Sequence, residues 1–360
     1  MWNEIGQLLI ALAIVAGAAF TLGVAIWVSK RHSTMRLLPK WQVWRGPWGV
    51  FEVLVVFFVV SFLIPIMIGS GMAIATRQHS GEREPGPPPS IESQAALAGT
   101  AVTEGQQPAA AAAEEIAKTI NTLWIAALSL PLQLSLLIAL GRLLSPGWRF
   151  ISRQSVASQL LLALIAWAVL SVLVHGINVP VNVLFNMLGL ERDRHPLEKL
   201  TNLSWSDSAL FVFCACVAAP VVEEFVFRGV ILVWAQGGRK TPAVPDIRAR
   251  FRPWILVLAA LLFAALSRRT GAIVFVVALI PLMSCCLYAL PRKRQTVGAI
   301  VSSAMLFGAV HSTAWPSPIP LFVLGLGLGW LAARTRSILA PIVVHGLFNA
   351  ISVVIVLRSS

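Results

Sequence analysis

The sequence predicts an all-α fold, a polytopic helical membrane protein, on three observations. First, 57% of its 360 residues are hydrophobic and 12% are charged, with a mean hydropathy of +0.80, which is too apolar for a soluble domain around one buried core. Second, several apolar runs approach or exceed the ~20 residues needed to cross a hydrocarbon core of about 30 Å. They are rich in Leu, Val, Ile and Ala without period-2 alternation, which favours helices over a barrel. Third, Lys and Arg fall in short clusters between the apolar runs. The formal charge of +13 therefore reads as positive-inside patterning, and no nucleic-acid partner is expected.

In chain order, Ile5 to Val28 is a first span, preceded by Glu4 and followed by Lys30, Arg31, Arg36, Lys40 and Arg45. This asymmetry puts the N-terminus outside and favours a retained anchor over a cleaved signal peptide. Trp41, Trp44 and Trp48 mark an interface, and Val50 to Ala75 returns the chain to the outer side; Glu52 and Pro65 interrupt that span without identifying a site. Residues 1–76 thus hold the N-terminal transmembrane helices. Residues 77–115, rich in Pro, Gly, Ala, Ser, Gln and Glu, are expected as a disordered external loop, with nascent helix in the Ala run 109–113. Ile116 to Leu140 crosses inward to Arg142, Arg149 and Arg153, and Val156 to Asn178 crosses outward. Val179 to Asp207 is then an external connector, so 116–204 holds the middle spans and most of that connector. His195 beside Pro196 reads as part of a solvated turn.

The C-terminal region, 205–356, holds the expected functional core. Ser208 to Trp234 is followed by Arg239, Lys240, Arg248, Arg250 and Arg252. Trp254 to Leu290 is expected as two short spans joined near Arg268-Arg269-Thr270-Gly271, since a single span would leave Arg292, Lys293 and Arg294 outside. Thr296 to Thr313 goes out, Leu321 to Ala333 comes back, and Ile338 to Leu357 goes out again. The total is about ten spans, within a range of about eight to twelve. Cys214, Cys216, Cys285 and Cys286 lie in apolar runs without zinc-finger spacing and read as small hydrophobes.

Within this apolar setting, Glu223, Glu224 and Arg228 stand out. Each charge at bilayer depth costs roughly 2.5 to 3.5 kcal/mol even on the lenient insertion scale, so the three need partners or a function. Residues four apart share a helix face, which pairs Glu224 with Arg228 and turns Glu223 about 100° away as the freer carboxylate. His311 and His345, in later apolar segments, are expected to converge on it. Their depths conflict, at roughly 22 Å and roughly 10 Å from the inner ends of their helices, which calls for short, tilted or re-entrant helices. A close-packing row, Gly325, Gly327 and Gly329, lies nearby.

Amide hydrolysis needs a base to activate water, an acid for the leaving amine and donors for the oxyanion. Glu223 suits the base, a histidine beside it can orient the water, and His345 and Asn349, four apart, can donate to one oxygen. Phe307, four before His311, gives an aromatic wall for the substrate space. Other protease chemistries fit less well. There is no His-Glu-x-x-His, and Asp193, Asp207 and Asp246 lie in loops or at a span's edge. Gly69-Ser70-Gly71 also reads as ordinary helix-packing sequence. The alternative function is a non-catalytic membrane scaffold that uses the same polar network to join helices.

Glu223-Glu224-x-x-x-Arg228, Phe307-x-x-x-His311 and His345-x-x-x-Asn349, in this order, with Phe227-Arg228-Gly229 after the glutamates and Pro341 before the last histidine, resemble the motifs of the CAAX protease and bacteriocin-processing (CPBP) family, also called Abi. The resemblance covers about residues 205–356; the stretch 229–306 between the first two motifs departs from the compact spacing expected for it. It implies a catalytic helical core in the C-terminal half and an intramembrane endopeptidase acting on a membrane-associated protein or peptide. Glu223 and His311 would activate water, His345 and Asn349 would stabilise the oxyanion, and Glu224 and Arg228 would orient the site. It also implies glutamate-dependent catalysis without a metal cofactor, although two histidines and a glutamate are a set that a divalent metal such as zinc accepts. Family members trim prenylated proteins or serve peptide maturation and bacteriocin immunity; the last is the non-catalytic alternative. The expected location is the cell membrane of a bacterium.

Overall fold

A computed structural model of the chain describes residues 44, 46–80, 106–152, 154–188, 203–237, 251–289 and 294–359. Nine continuous helices and no strand are found among them. Helix α1 joins Val50–Phe58, Val59–Leu63 and Ile64–Ser80; α2 is Gln106–Leu144, α3 is Val156–Met187 and α4 is Trp205–Ala235. They are followed by α5 (Arg252–Leu266), α6 (Thr270–Ala289), α7 (Arg294–Ala309), α8 (Pro318–Thr335) and α9 (Leu339–Ser359). Six, α1 to α4 with α8 and α9, are long and apolar enough to cross a membrane, and α5 to α7 are shorter apolar helices. The expected span Ile5 to Val28 lies outside the described residues, as do His195, Asp193 and Asp246.

Several boundaries differ from expectation. Helices α1 and α2 reach to Ser80 and back to Gln106, into the stretch expected as a loop; in α2 the Ala run is a strong helix former. Helix α3 continues through Pro180 to Met187, so the connector starts later than Val179. The region 254–290 is two helices, as charge parity required, and they form the hairpin that separates the first two motifs. Helix α7 ends at Ala309, and the chain then turns before α8.

One end of the bundle is closed by aromatic packing. Trp44 and Trp48, expected at a lipid interface, are buried instead. Trp48 Nε1 donates to the Gly229 carbonyl at 2.9 Å, and its ring meets Trp148 edge-on with centroids 5.4 Å apart. Trp148 in turn meets Phe150 at 4.3 Å. An indole whose N–H finds a buried partner is retained in the interior at little cost. The expected close packing at the glycine row is present: a Cβ on Gly325 would lie 3.1 Å from Ala304 of α7, and one on Gly329 would lie 3.3 Å from Ile300. Glycine at these positions lets the α7 and α8 backbones approach.

Candidate active site on helices α4, α7 and α9

Helix α4 starts at a local cap, where Ser204 Oγ accepts from the Asp207 backbone N–H at 3.2 Å. This accounts for Asp207 structurally. Within α4, Cys214–Ala218 and Phe225–Leu232 are π-helical and flank the two glutamates. Wide turns of this kind recur at functional sites. Pro220 has no N–H, so the carbonyl five residues earlier, Ala215 O, loses its π-helical donor. Asn349 of α9 fills the place, donating Nδ2–H to Ala215 O at 2.8 Å.

The same device appears in α1. Pro65 lies five residues after Val60, in the π-helical stretch Val59–Leu63, and Gln133 of α2 donates Nε2–H to Val60 O at 2.8 Å. Sequence reasoning passed over Gln133 and the consequences of both prolines. The available signal was a proline in mid-span, which obliges a neighbouring helix to supply a donor.

Glu224 and Arg228 are 0% and 1% exposed and meet at 2.7 Å between Oε1 and a terminal guanidinium nitrogen. His345 joins the same oxygen from α9, with its Nδ1 at 2.9 Å. Because Glu224 accepts from the guanidinium, Nδ1 of His345 is the donor. The guanidinium also sits 4.4 Å over the centre of the Phe307 ring, a favourable cation–π placement. Oε2 of Glu224 and Nε and Nη2 of Arg228 are buried without a hydrogen-bond partner among the described residues. This triad ties α4 to α9, and Gly346 allows the close contact: a Cβ there would run into the Cys216 backbone carbonyl.

Glu223 faces elsewhere. Its side chain is 27% exposed, with Oε2 3.9 Å from His345 Nε2. It lines a cavity of about 580 Å³ that His311 also lines, together with residues of α1, α2 and α5. His311 Nδ1 lies 2.8 Å from the Phe307 carbonyl. A carbonyl only accepts, so Nδ1 carries the proton, and Nε2 of the neutral ring is left as an acceptor.

The expected residues are therefore only partly assembled. Glu223 and His311 share a cavity, and His345 reaches both glutamates. Both histidines pack against Phe307, whose ring centre is 5.1 Å from that of His311 and 5.7 Å from that of His345. Phe307 is fully buried and does not line the cavity; it is an aromatic wall beside the imidazoles and not, as expected, a wall of the substrate space. Asn349 has one N–H committed to Ala215. Ser70 is exposed and does not line the cavity. Among the described residues, no three His, Cys, Asp or Glu side chains are grouped as ligands to a metal ion would be.

Fold and site together define a polytopic α-helical membrane protein with a buried carboxylate, guanidinium and imidazole cluster beside a cavity. Residues 205–294 and 282–351 match the family model described as type II CAAX prenyl endopeptidase Rce1-like, in agreement with the family that the three motifs resemble. The match runs from the start of α4 into α9 and includes Glu223 through Asn349; α1 to α3 lie outside it. No curated protein and no solved structure matches the chain.

Proposed function

We propose that the chain is an intramembrane endopeptidase that hydrolyses a peptide bond in a membrane-associated protein or peptide. The family match supports the class of activity. The observation that carries the assignment of roles is the division of labour between the glutamates. Glu224 is committed to Arg228 and His345, whereas Glu223 lines the cavity with His311.

In this reading a water is held between the Glu223 carboxylate and Nε2 of His311. Glu223 takes its proton as the water oxygen bonds to the scissile carbonyl carbon, and the carbonyl π pair moves onto its oxygen. The imidazolium form of His345, with Nδ1–H on Glu224, is the one that donates Nε2–H to that oxyanion. Asn349 contributes its second N–H, the first being fixed on Ala215 O. The oxyanion then re-forms the C=O bond, the C–N bond breaks, and the amine leaves with the proton that Glu223 carried. No metal enters these steps, and cleavage is expected to persist after treatment with zinc chelators.

Comparing the termini of membrane polypeptides in cells making wild-type chain or Glu223→Gln, at equal membrane levels, tests the proposal. Termini present only with wild type are expected. Identical termini would leave the scaffold reading, which the α4–α9 triad also serves.

A further inference from the structure

The cavity is placed unevenly along the bundle. It reaches Ser267 in the α5–α6 turn and Ser312 and Thr313 in the turns after α7, and Thr313 is exposed. That end is a single neighbourhood, since Phe185 near the end of α3 meets Trp315 at 5.9 Å and Gly271 of α6 faces the same tryptophan. At the other end, Trp44 N–H donates to Gln236, Arg252 to the Trp234 carbonyl, Gln295 to the Ala235 carbonyl and Ile338 N–H to the Phe150 carbonyl. The segment Val230 to Ala235 is buried there, and no residue of this end lines the cavity.

The closed end is also the basic end. Arg142, Arg149, Arg252, Arg334 and Arg336 lie at or near helix ends there, and the sequence clusters 30–45, 239–252 and 292–294 fall in the segments that lead into or out of helices ending there, against Lys118, Arg268, Arg269 and Arg358 among the described residues toward the open end. Such a bias sets orientation, with the basic end in the cytoplasm. The open mouth therefore faces away from the cytoplasm.

We propose that the site is served from the extracytoplasmic face. Its substrate is a polypeptide segment presented at the outer membrane surface, which reaches Glu223 and His311 past Ser267 and Thr313. Phe57, Phe62, Phe227 and Phe263 line the path and select apolar side chains around the scissile bond. Cytoplasmic polypeptides are excluded by the Trp48–Trp148 packing. The assignment of a substrate rests on the peptidase reading; the side of access does not.

Two cysteine substitutions decide the side, each compared with wild type to subtract labelling of the native cysteines. Ala219→Cys places a thiol in the cavity one turn from Glu223, and Gly147→Cys places one at the closed end in open space. With a membrane-impermeant maleimide, Ala219→Cys is expected to label in intact cells, and Gly147→Cys only in inverted vesicles. Labelling of Ala219→Cys only in inverted vesicles overturns the route. So does labelling from neither side if the thiol reacts after detergent solubilisation. Termini that depend on Glu223 are expected in extracytoplasmic segments, and termini confined to cytoplasmic segments overturn the substrate assignment. If Glu223→Gln changes no termini, the peptidase reading fails and the substrate assignment with it, while the labelling result still settles the route.

Discussion

Replacing Arg228 by Leu isolates the cost of the buried charge cluster. In the wild-type chain the guanidinium is 1% exposed and stands 2.7 Å from an equally buried Glu224 oxygen. The substitution leaves that carboxylate with His345 as its remaining hydrogen-bond partner. Removing one partner of a buried pair costs about 3 to 5 kcal/mol, most of it the penalty of the stranded charge. The lost cation–π contact with Phe307 lies within the same interaction and is not added to it. Arg228→Leu is therefore expected to lower unfolding stability in detergent by about 3 to 5 kcal/mol. Glu224→Gln combined with Arg228→Leu should be less destabilised than Arg228→Leu alone, because no charge is then stranded. Reversible denaturant titration of the purified protein reads both. A loss below about 1 kcal/mol for Arg228→Leu, the level of an exposed ion pair, would refute the assignment of a buried, mutually dependent pair.

Other outcomes follow from the α4–α9 and α1–α2 contacts. Gly346→Ala forces a methyl against the Cys216 carbonyl; it should cost about 1 to 3 kcal/mol and reduce cleavage by displacing His345, and a variant with wild-type stability and rate would contradict the close approach. Gln133→Leu leaves Val60 O without its donor and should cost about 1 to 3 kcal/mol. Pro65→Ala in that background restores a backbone N–H and should recover part of the loss, whereas no recovery in a thermal melt would show that the proline does not create the need. Dialysis against a zinc chelator should leave the Glu223-dependent termini unchanged, and restoration of cleavage by added zinc alone would count against the metal-free steps.

Much of the architecture was legible because bilayer burial imposes a crude and long-ranged rule on composition. Apolar run length and basic clusters were enough to expect the split of 254–290 into two helices. The i,i+4 spacing of Glu224 and Arg228 was likewise enough to expect their pairing, since both residues lie on one helix and one periodicity governs them. Finer boundaries were less legible. The span expected to stop at Asn178 runs on through Pro180 to Met187, since neighbouring helices can compensate in a membrane for the backbone donor a proline removes.

The sequence by itself determined the class of fold, the pairing of Glu224 with Arg228 and the identity of the ionisable groups, because these depend on composition and on spacing within single helices. Only the tertiary structure decided which groups meet. It packed both histidines against Phe307, gave Glu224 to His345 and Glu223 to the cavity, and engaged Asn349 with a carbonyl of α4. Those outcomes depend on helix phase and on π-helical offsets that shift a side chain around its helix. They also depend on carbonyls freed by proline, whose donors come from residues more than seventy positions away in the chain.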